Sequence, residues 1–259
     1  MNEHSTLTFP KSRIIFIKIY VLMLMTIFTV STGPVSADNQ TDKNTKSKTT
    51  QTQNPTDSKK KKSQKWVSLF NGKSLDGWKV PQFGGEGEVH VANGNLILEM
   101  GVDLTGVTIT DTKKLPLTNY EVELEAMRVD GNDFFCGLTF PVKKDPCSII
   151  LGGWGGSLCG LSSIDGDDAS QNSTTSFQTF KKKQWYKIRL QVTNHKIQAW
   201  LDGKQIIDQN LKDRKISIRH EVELSKPFGI TSFSTTAALK NIKIRKLTKE
   251  EVDKTAPRK

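Results

Sequence analysis

Between Ser162 and Asn172 the chain reads S-S-I-D-G-D-D-A-S-Q-N, which gathers Asp165, Asp167, Asp168 and Asn172 in one short loop. Clustered carboxylate and carbonyl oxygens are what Ca²⁺ takes as ligands, so Asp165, Asp167 and Asp168 form a candidate site for a divalent cation. The spacing is not that of an EF-hand, and an ordinary Asx-rich turn is the alternative. The same carboxylates could bond sugar hydroxyls or move a proton. Asp165 and Asp168 are then candidate catalytic acid and base, and Asn172 a candidate substrate contact. Just upstream, G152-G-W-G-G156 leaves Trp154 without a bulky neighbour. An indole plate in that setting suits the C–H face of a sugar, while a core tryptophan beside a tight bend is the alternative.

Other chemistry is less well supported. Glu121, Glu123 and Glu125 alternate along one strand-like segment. Two carboxylates on one face can serve as nucleophile and acid, but charge opposite an apolar face is what any solvated strand shows. His90, His195 and His220 are widely separated, with no metal-ligand partner two or four residues on, so zinc is not supported. The chain shows no Ser-His-Asp signature, phosphate-binding glycine loop or dinucleotide fingerprint.

The elements that must position these residues read as strands. Tyr120-Glu-Val-Glu-Leu-Glu-Ala126 alternates strictly, with Tyr120, Val122, Leu124 and Ala126 on one face. Trp185–Val192 and Lys196–Leu201 alternate too. Asp202-Gly203 and Asn93-Gly94 are hairpin turn dipeptides. Phe228–Thr231 and Leu239–Arg245 read as closing strands, and no long 3.6-residue period or internal repeat is evident from residue 66 on. Many short strands at this spacing predict an all-β sandwich or jelly roll of two antiparallel sheets, with one core over residues 66–248 and a short tail over 249–259.

The first 65 residues are of another kind. Lys11, Arg13 and Lys18 precede or punctuate an apolar run from Ile14 to Val30, and Val35-Ser36-Ala37 supplies small residues for a cleavage site. This is the layout of a signal peptide over residues 1–37, with an uncleaved anchor as the rival reading. Residues 38–65 hold no aromatic or aliphatic side chain, so they cannot offset their ordering entropy and are expected to be a disordered linker. The expected destination is secretion or the periplasm. Of the formal net charge of +11, the linker carries +5 (eight Lys, three Asp) and residues 1–37 carry +2 (three basic residues, Glu3), leaving +4 for the rest. The basic balance thus belongs largely to the leader. Lys59–Lys62 could meet nucleic acid, anionic lipid or acidic polysaccharide, but it lacks interleaved aromatics and reads as a solvated spacer. No nucleic-acid partner is expected, and no membrane contact beyond the export signal.

The segment W66-V-S-L-F-N-G-K-S-L-D-G-W78 closely resembles the opening signature L-F-N-G-x-x-L-x-G-W of the 3-keto-disaccharide hydrolase family. Further matches follow in order: L115-P-L-T-N-Y-E-V-E-L-E-A, G131-N-D-F-F-C-G-L, W185-Y-K-I-R-L-Q-V, I197-Q-A-W-L-D-G-K-Q-I-I-D and A238-L-K-N-I-K-I-R-K-L247. The resemblance implies a concanavalin-A-like fold similar to family-16 glycoside hydrolases. It also implies hydrolysis of glycosides whose sugar carries a 3-keto group, with carbohydrate as the partner; a carbohydrate-binding module without catalysis is the alternative. Where typical members carry a Ser-Gly and an Arg, then a Tyr-Glu-x-Gln pattern, this chain has N132-D-F-F-C-G-L-T-F140 and C147-S-I-I-L-G-G-W-G-G156.

Cysteines complete the reading. In an oxidising compartment neighbouring thiols pair, and Cys136 and Cys147 flank the turn-rich Val142–Pro146. A hairpin there is expected to bring them within bridging range, with Cys159 left as a small buried hydrophobe.

Overall fold

A computed structural model of the protein describes residues 64–257. The expected signal peptide and all but the last two residues of the expected linker lie outside them. Fifteen strands form among the described residues, in the order β1 (Val67–Ser68), β2 (Trp78–Lys79), β3 (Val89–Ala92), β4 (Asn95–Leu98), β5 (Leu104–Ile109), β6 (Tyr120–Gly131), β7 (Cys136–Val142), β8 (Asp145–Gly153), β9 (Leu158–Ser162), β10 (Ser176–Phe177), β11 (Trp185–Val192), β12 (Lys196–Leu201), β13 (Lys204–Asn210), β14 (Gly229–Phe233) and β15 (Thr235–Lys246). A 3-10 segment spans His220–Ser225, and a short helix, α1, spans Lys249–Asp253. The first sheet runs β13-β12-β11-β6-β15-β4-β3, with β1 also on β15, and the second runs β10-β9-β8-β7-β14-β5-β2. Every ladder is antiparallel, so the expected two-sheet, all-β architecture is the one that forms.

Alternation explains which faces meet. Tyr120, Val122, Leu124 and Ala126 of β6 are buried, as are Ile188, Leu190 and Val192 of β11. They join Cys136, Leu138 and Phe140 of β7 and Cys147, Ile149 and Leu151 of β8 in one apolar cluster, where burial of apolar area supplies the main favourable contribution to folding. The Tyr120 hydroxyl crosses between the sheets to donate to the Pro141 carbonyl at 2.6 Å. The W66–W78 signature joins the two sheets. Its β1 pairs with β15, its β2 pairs with β5, and the Trp78 indole N–H donates to the Leu69 carbonyl at 2.8 Å. The predicted hairpin turns form at Asn93-Gly94 and Asp202-Gly203, with φ of 50° and 78°, and 48° and 82°.

The expected Cys136–Cys147 bridge does not form. The β7–β8 register sets Cys136 opposite Leu151 and Cys147 opposite Phe140, at opposite ends of the hairpin, and all three cysteines are free and buried. Burial pushes the Cys136 and Cys147 thiols up to about 12 and that of Cys159 to about 11. The native protein is therefore expected to leave a thiol reagent unreacted at pH 8 and to yield three equivalents once unfolded. Rapid native labelling of any of them would contradict this burial.

Candidate functional site

The three glutamates of β6 lie on the outer face of the first sheet, locked among cations. Glu121 meets Arg245 at 2.7 Å and Arg189 at 3.8 Å, Glu123 meets Lys243 at 2.9 Å and Lys187 at 3.6 Å, and Glu125 meets Lys240 at 3.4 Å. This is the charged ladder of a solvated strand face.

The second sheet holds a cleft on its outer face. Cross-strand registers put Ser162, Ser148, Thr139, Gly229 and Thr108 in one lateral row over β9, β8, β7, β14 and β5. The next row is Gly160, Ile150, Gly137, Thr231 and Gly106. The floor is therefore built of small and hydroxyl side chains. At Gly137 a Cβ would come within 2.7 Å of Thr231 Oγ1, so the floor is close-packed at that point. Above it opens a cavity of about 590 Å³, lined in part by Trp154, Phe134, Phe233, Ser162, Arg219 and Glu221, with Asp103 and Asp133 also in its wall. Phe134 and Phe233 stack with ring centroids 5.8 Å apart. Ser162 Oγ is buried and has no hydrogen-bond partner among the described residues, a polar atom at the wall that a ligand group can satisfy.

Trp154 stands at the rim, 45% exposed. Its backbone takes φ of 48°, a left-handed conformation that a bulky residue keeps only where its surroundings impose it. Arg128 of β6 is one such constraint: its Nη2 donates to the carbonyls of Gly152 at 3.1 Å and Gly156 at 2.9 Å, and its Nε to that of Asp133 at 3.2 Å. The guanidinium also lies over Phe135 and Phe180, 5.3 and 5.8 Å from their centroids. Desolvation lowers the Arg128 pKa from its ordinary value, yet the group stays a cation. Gly152 has no room for a Cβ against this guanidinium. Asp133 completes the clamp, accepting from Phe134 N at 2.7 Å through one oxygen and from Gly155 N at 3.0 Å through the other.

Arg219 forms the opposite margin. It donates to Asp168 Oδ2 at 2.6 Å and pairs with Glu221. The Arg219 hydrogen bond holds the Glu221 carboxyl below the usual range. Burial pushes the Asp168 carboxyl up, but hydrogen bonds from Ser170 and Arg219 outweigh it and hold it low.

The residues singled out in the sequence are therefore dispersed. Trp154 lines the cleft. Asp168 reaches it only through Arg219. Asp165 faces elsewhere, accepting from Lys215 N at 2.8 Å and Arg214 Nη1 at 2.7 Å, contacts that lower its pKa. Asn172 staples the loop to itself and to β9, donating to the carbonyls of Leu161, Asp167 and Asp168 and accepting from Thr174. Asp167 is exposed, and its carbonyl accepts from Ile164 N. Among the described residues no group of three or more His, Cys, Asp or Glu side chains is placed to hold a metal ion. Asp165 and Asp168 are each tied to a different arginine, so this donor set does not fit a cation.

Sequence reasoning missed Arg128, Asp133, Phe134, Phe233, Arg219 and Glu221. One signal was available: in an alternating strand entry, the adjacent Phe134 and Phe135 must point to opposite faces, so one leaves the core. Since Trp154 is exposed and its turn is held from below, Trp154→Ala should lower sugar affinity about tenfold. The melting temperature should stay within about 2 °C. Calorimetric titration and thermal denaturation read the two separately, and a collapse in stability would make Trp154 a framework residue.

An all-β sandwich with an aromatic-rimmed cleft on one outer face defines the class of this protein. Within that class, the chain belongs to the family of 3-keto-alpha-glucoside-1,2-lyase-like domains, whose profile matches residues 65–245. No protein of curated function matches the sequence. Among solved structures it is similar to a provisionally assigned glycosyl hydrolase from Parabacteroides distasonis, with 14% identity, 71% of this chain and 94% of that one covered, and a TM-score of 0.46. It is also similar to the carbohydrate-binding module CBM66 from Bacillus subtilis, with 12% identity, coverage of 65% and 95%, and a TM-score of 0.43. A third is domain 4 of AbnA, an extracellular arabinanase from Geobacillus stearothermophilus, solved with arabinotriose, with 13% identity, coverage of 71% and 96%, and a TM-score of 0.44. Among the described residues no helix is long and apolar enough to cross a membrane.

Proposed function

We propose that this chain is an exported carbohydrate-active protein that binds a 3-keto glycoside in the cleft of the second sheet and cleaves it. The observation that carries the reading is the placement of the Arg219–Glu221 pair in the same cavity wall as the Trp154 and Phe134–Phe233 rings, within a chain matched by this family over residues 65–245. Export rests on the basic and apolar pattern of residues 11–37.

A ketone at C3 acidifies the neighbouring C2–H, which makes elimination across C1–C2 the natural route. Glu221 takes the C2 proton, and the C–H electron pair moves toward the C3 oxygen. The Arg219 guanidinium stabilises the charge growing there. Collapse of that charge expels the glycosidic oxygen from C1, which leaves with a proton from solvent. Asp168 acts as a positioning residue by holding Arg219.

The test incubates the full chain with a chromogenic 3-keto-glucoside and follows aglycone release. Release with formation of an unsaturated keto sugar supports the proposal. Glycan recognition without cleavage is favoured by one feature: two carboxylates on a single guanidinium are both held as weak bases. Tight binding with no release would establish that second reading, and no binding would remove both.

A further inference from the structure

Phe177 is 69% exposed, in the two-residue edge strand β10. Nothing in the cleft so far described uses it, and an exposed phenyl ring on a sheet edge forfeits the burial that normally places it inside. Its position is fixed by the ladder: Phe177 pairs with Leu158, Leu158 with Gly153, and Phe233 with Leu104. The Phe233 N–H donates to the Phe134 carbonyl at 3.0 Å, and a Cβ on Gly153 would lie 3.8 Å from the Phe134 ring, so one lateral row runs Phe177, Leu158, Gly153, Phe134, Phe233, Leu104 across five strands and the segment leading into β7. Directly paired residues point to the same side of a sheet. Leu158 packs with Ile150, Ala169 and Phe134, apart from the cluster between the sheets, and Ile150 lines the cleft. Phe177 therefore points to the cleft side.

Neighbouring strands lie roughly 4.8 Å apart, so Phe177 on β10, Gly153 at the end of β8, next to Trp154, and Phe233 on β14 stand at intervals of about 10 Å. Three aromatic groups at that interval match the rise of about two sugar units in an extended glycan, with alternate rings stacking and those between them reaching polar groups. A disaccharide would meet only one end of this row.

We infer that the cleft continues past Trp154 to Phe177 and takes a linear oligosaccharide of about five sugar units, with platforms at Phe177, at Trp154 and at the Phe134–Phe233 pair. The inference rests on the carbohydrate reading above and adds the size of the ligand. Phe177 is a binding residue at the β10 end of the row.

The test titrates the full chain with β-1,4-linked and α-1,4-linked gluco-oligosaccharides of two to six units. In one series affinity should rise about tenfold between the dimer and the pentamer and then level off. Phe177→Ala should abolish that gain while leaving dimer affinity and thermal stability unchanged. Equal affinity for dimer and hexamer, or a pentamer gain that survives Phe177→Ala, overturns the extended groove and leaves the carbohydrate reading standing. Absence of binding at every length in both series overturns the extended groove, while the 3-keto-glycoside reading stands or falls on aglycone release.

Discussion

Arg128→Ala should cost about 3 to 5 kcal/mol of stability, because it strands three carbonyl oxygens at the base of the Trp154 turn. For a domain of this size that corresponds to a fall of about 10 °C in melting temperature. The side chain is 5% exposed, and its fork serves Asp133, Gly152 and Gly156 at once. Lysine offers no such planar fork, so Arg128→Lys should recover little. Sugar binding should fall along with stability in Arg128→Ala, whereas Trp154→Ala loses binding alone. Thermal denaturation within about 2 °C of the parent would show that the turn holds its shape without the guanidinium.

The second large effect is chemical. Glu221→Gln keeps the shape of the cleft rim but removes the proposed base, so aglycone release should drop by about 10²- to 10⁴-fold. Binding of the unreacted glycoside should change little. The pH profile follows from the Arg219 hydrogen bond, which lowers the Glu221 pKa. The active form is the ionised one, so activity should persist down through the ordinary glutamate range and be lost only on further acidification. A rate that falls already near neutral pH would point to a different base.

The fold was largely legible because its determinants are local. Tyr120–Ala126 alternates cleanly, and Asn93-Gly94 and Asp202-Gly203 announce their turns, so strands and hairpins follow from the neighbours of each residue. The partner of β6 did not follow, since β15 reaches it from the far end of the chain. The cleft was legible at one position, where the glycines around Trp154 leave an indole nothing local to pack against. Arg219, Glu221, Phe134 and Phe233 come from three separate segments, and only sheet register brings them together. The acidic loop was the opposite case. Its carboxylates are close in sequence, but Arg214 and Arg219 draw Asp165 and Asp168 apart. The cysteines likewise flank a turn, yet the pairing of Cys147 with Phe140 sets the thiols at opposite ends of the hairpin.

The place of β15 in the first sheet governs how this protein can be made. It pairs with β6 on one side and with β4 on the other, while β1 also joins it. The Arg245–Glu121 contact spans 124 residues of sequence. A chain growing from its N-terminus therefore cannot complete that sheet until β15 has emerged, and such non-local pairing is slow to form. Until then β4 and β6 lack the strand that stands between them.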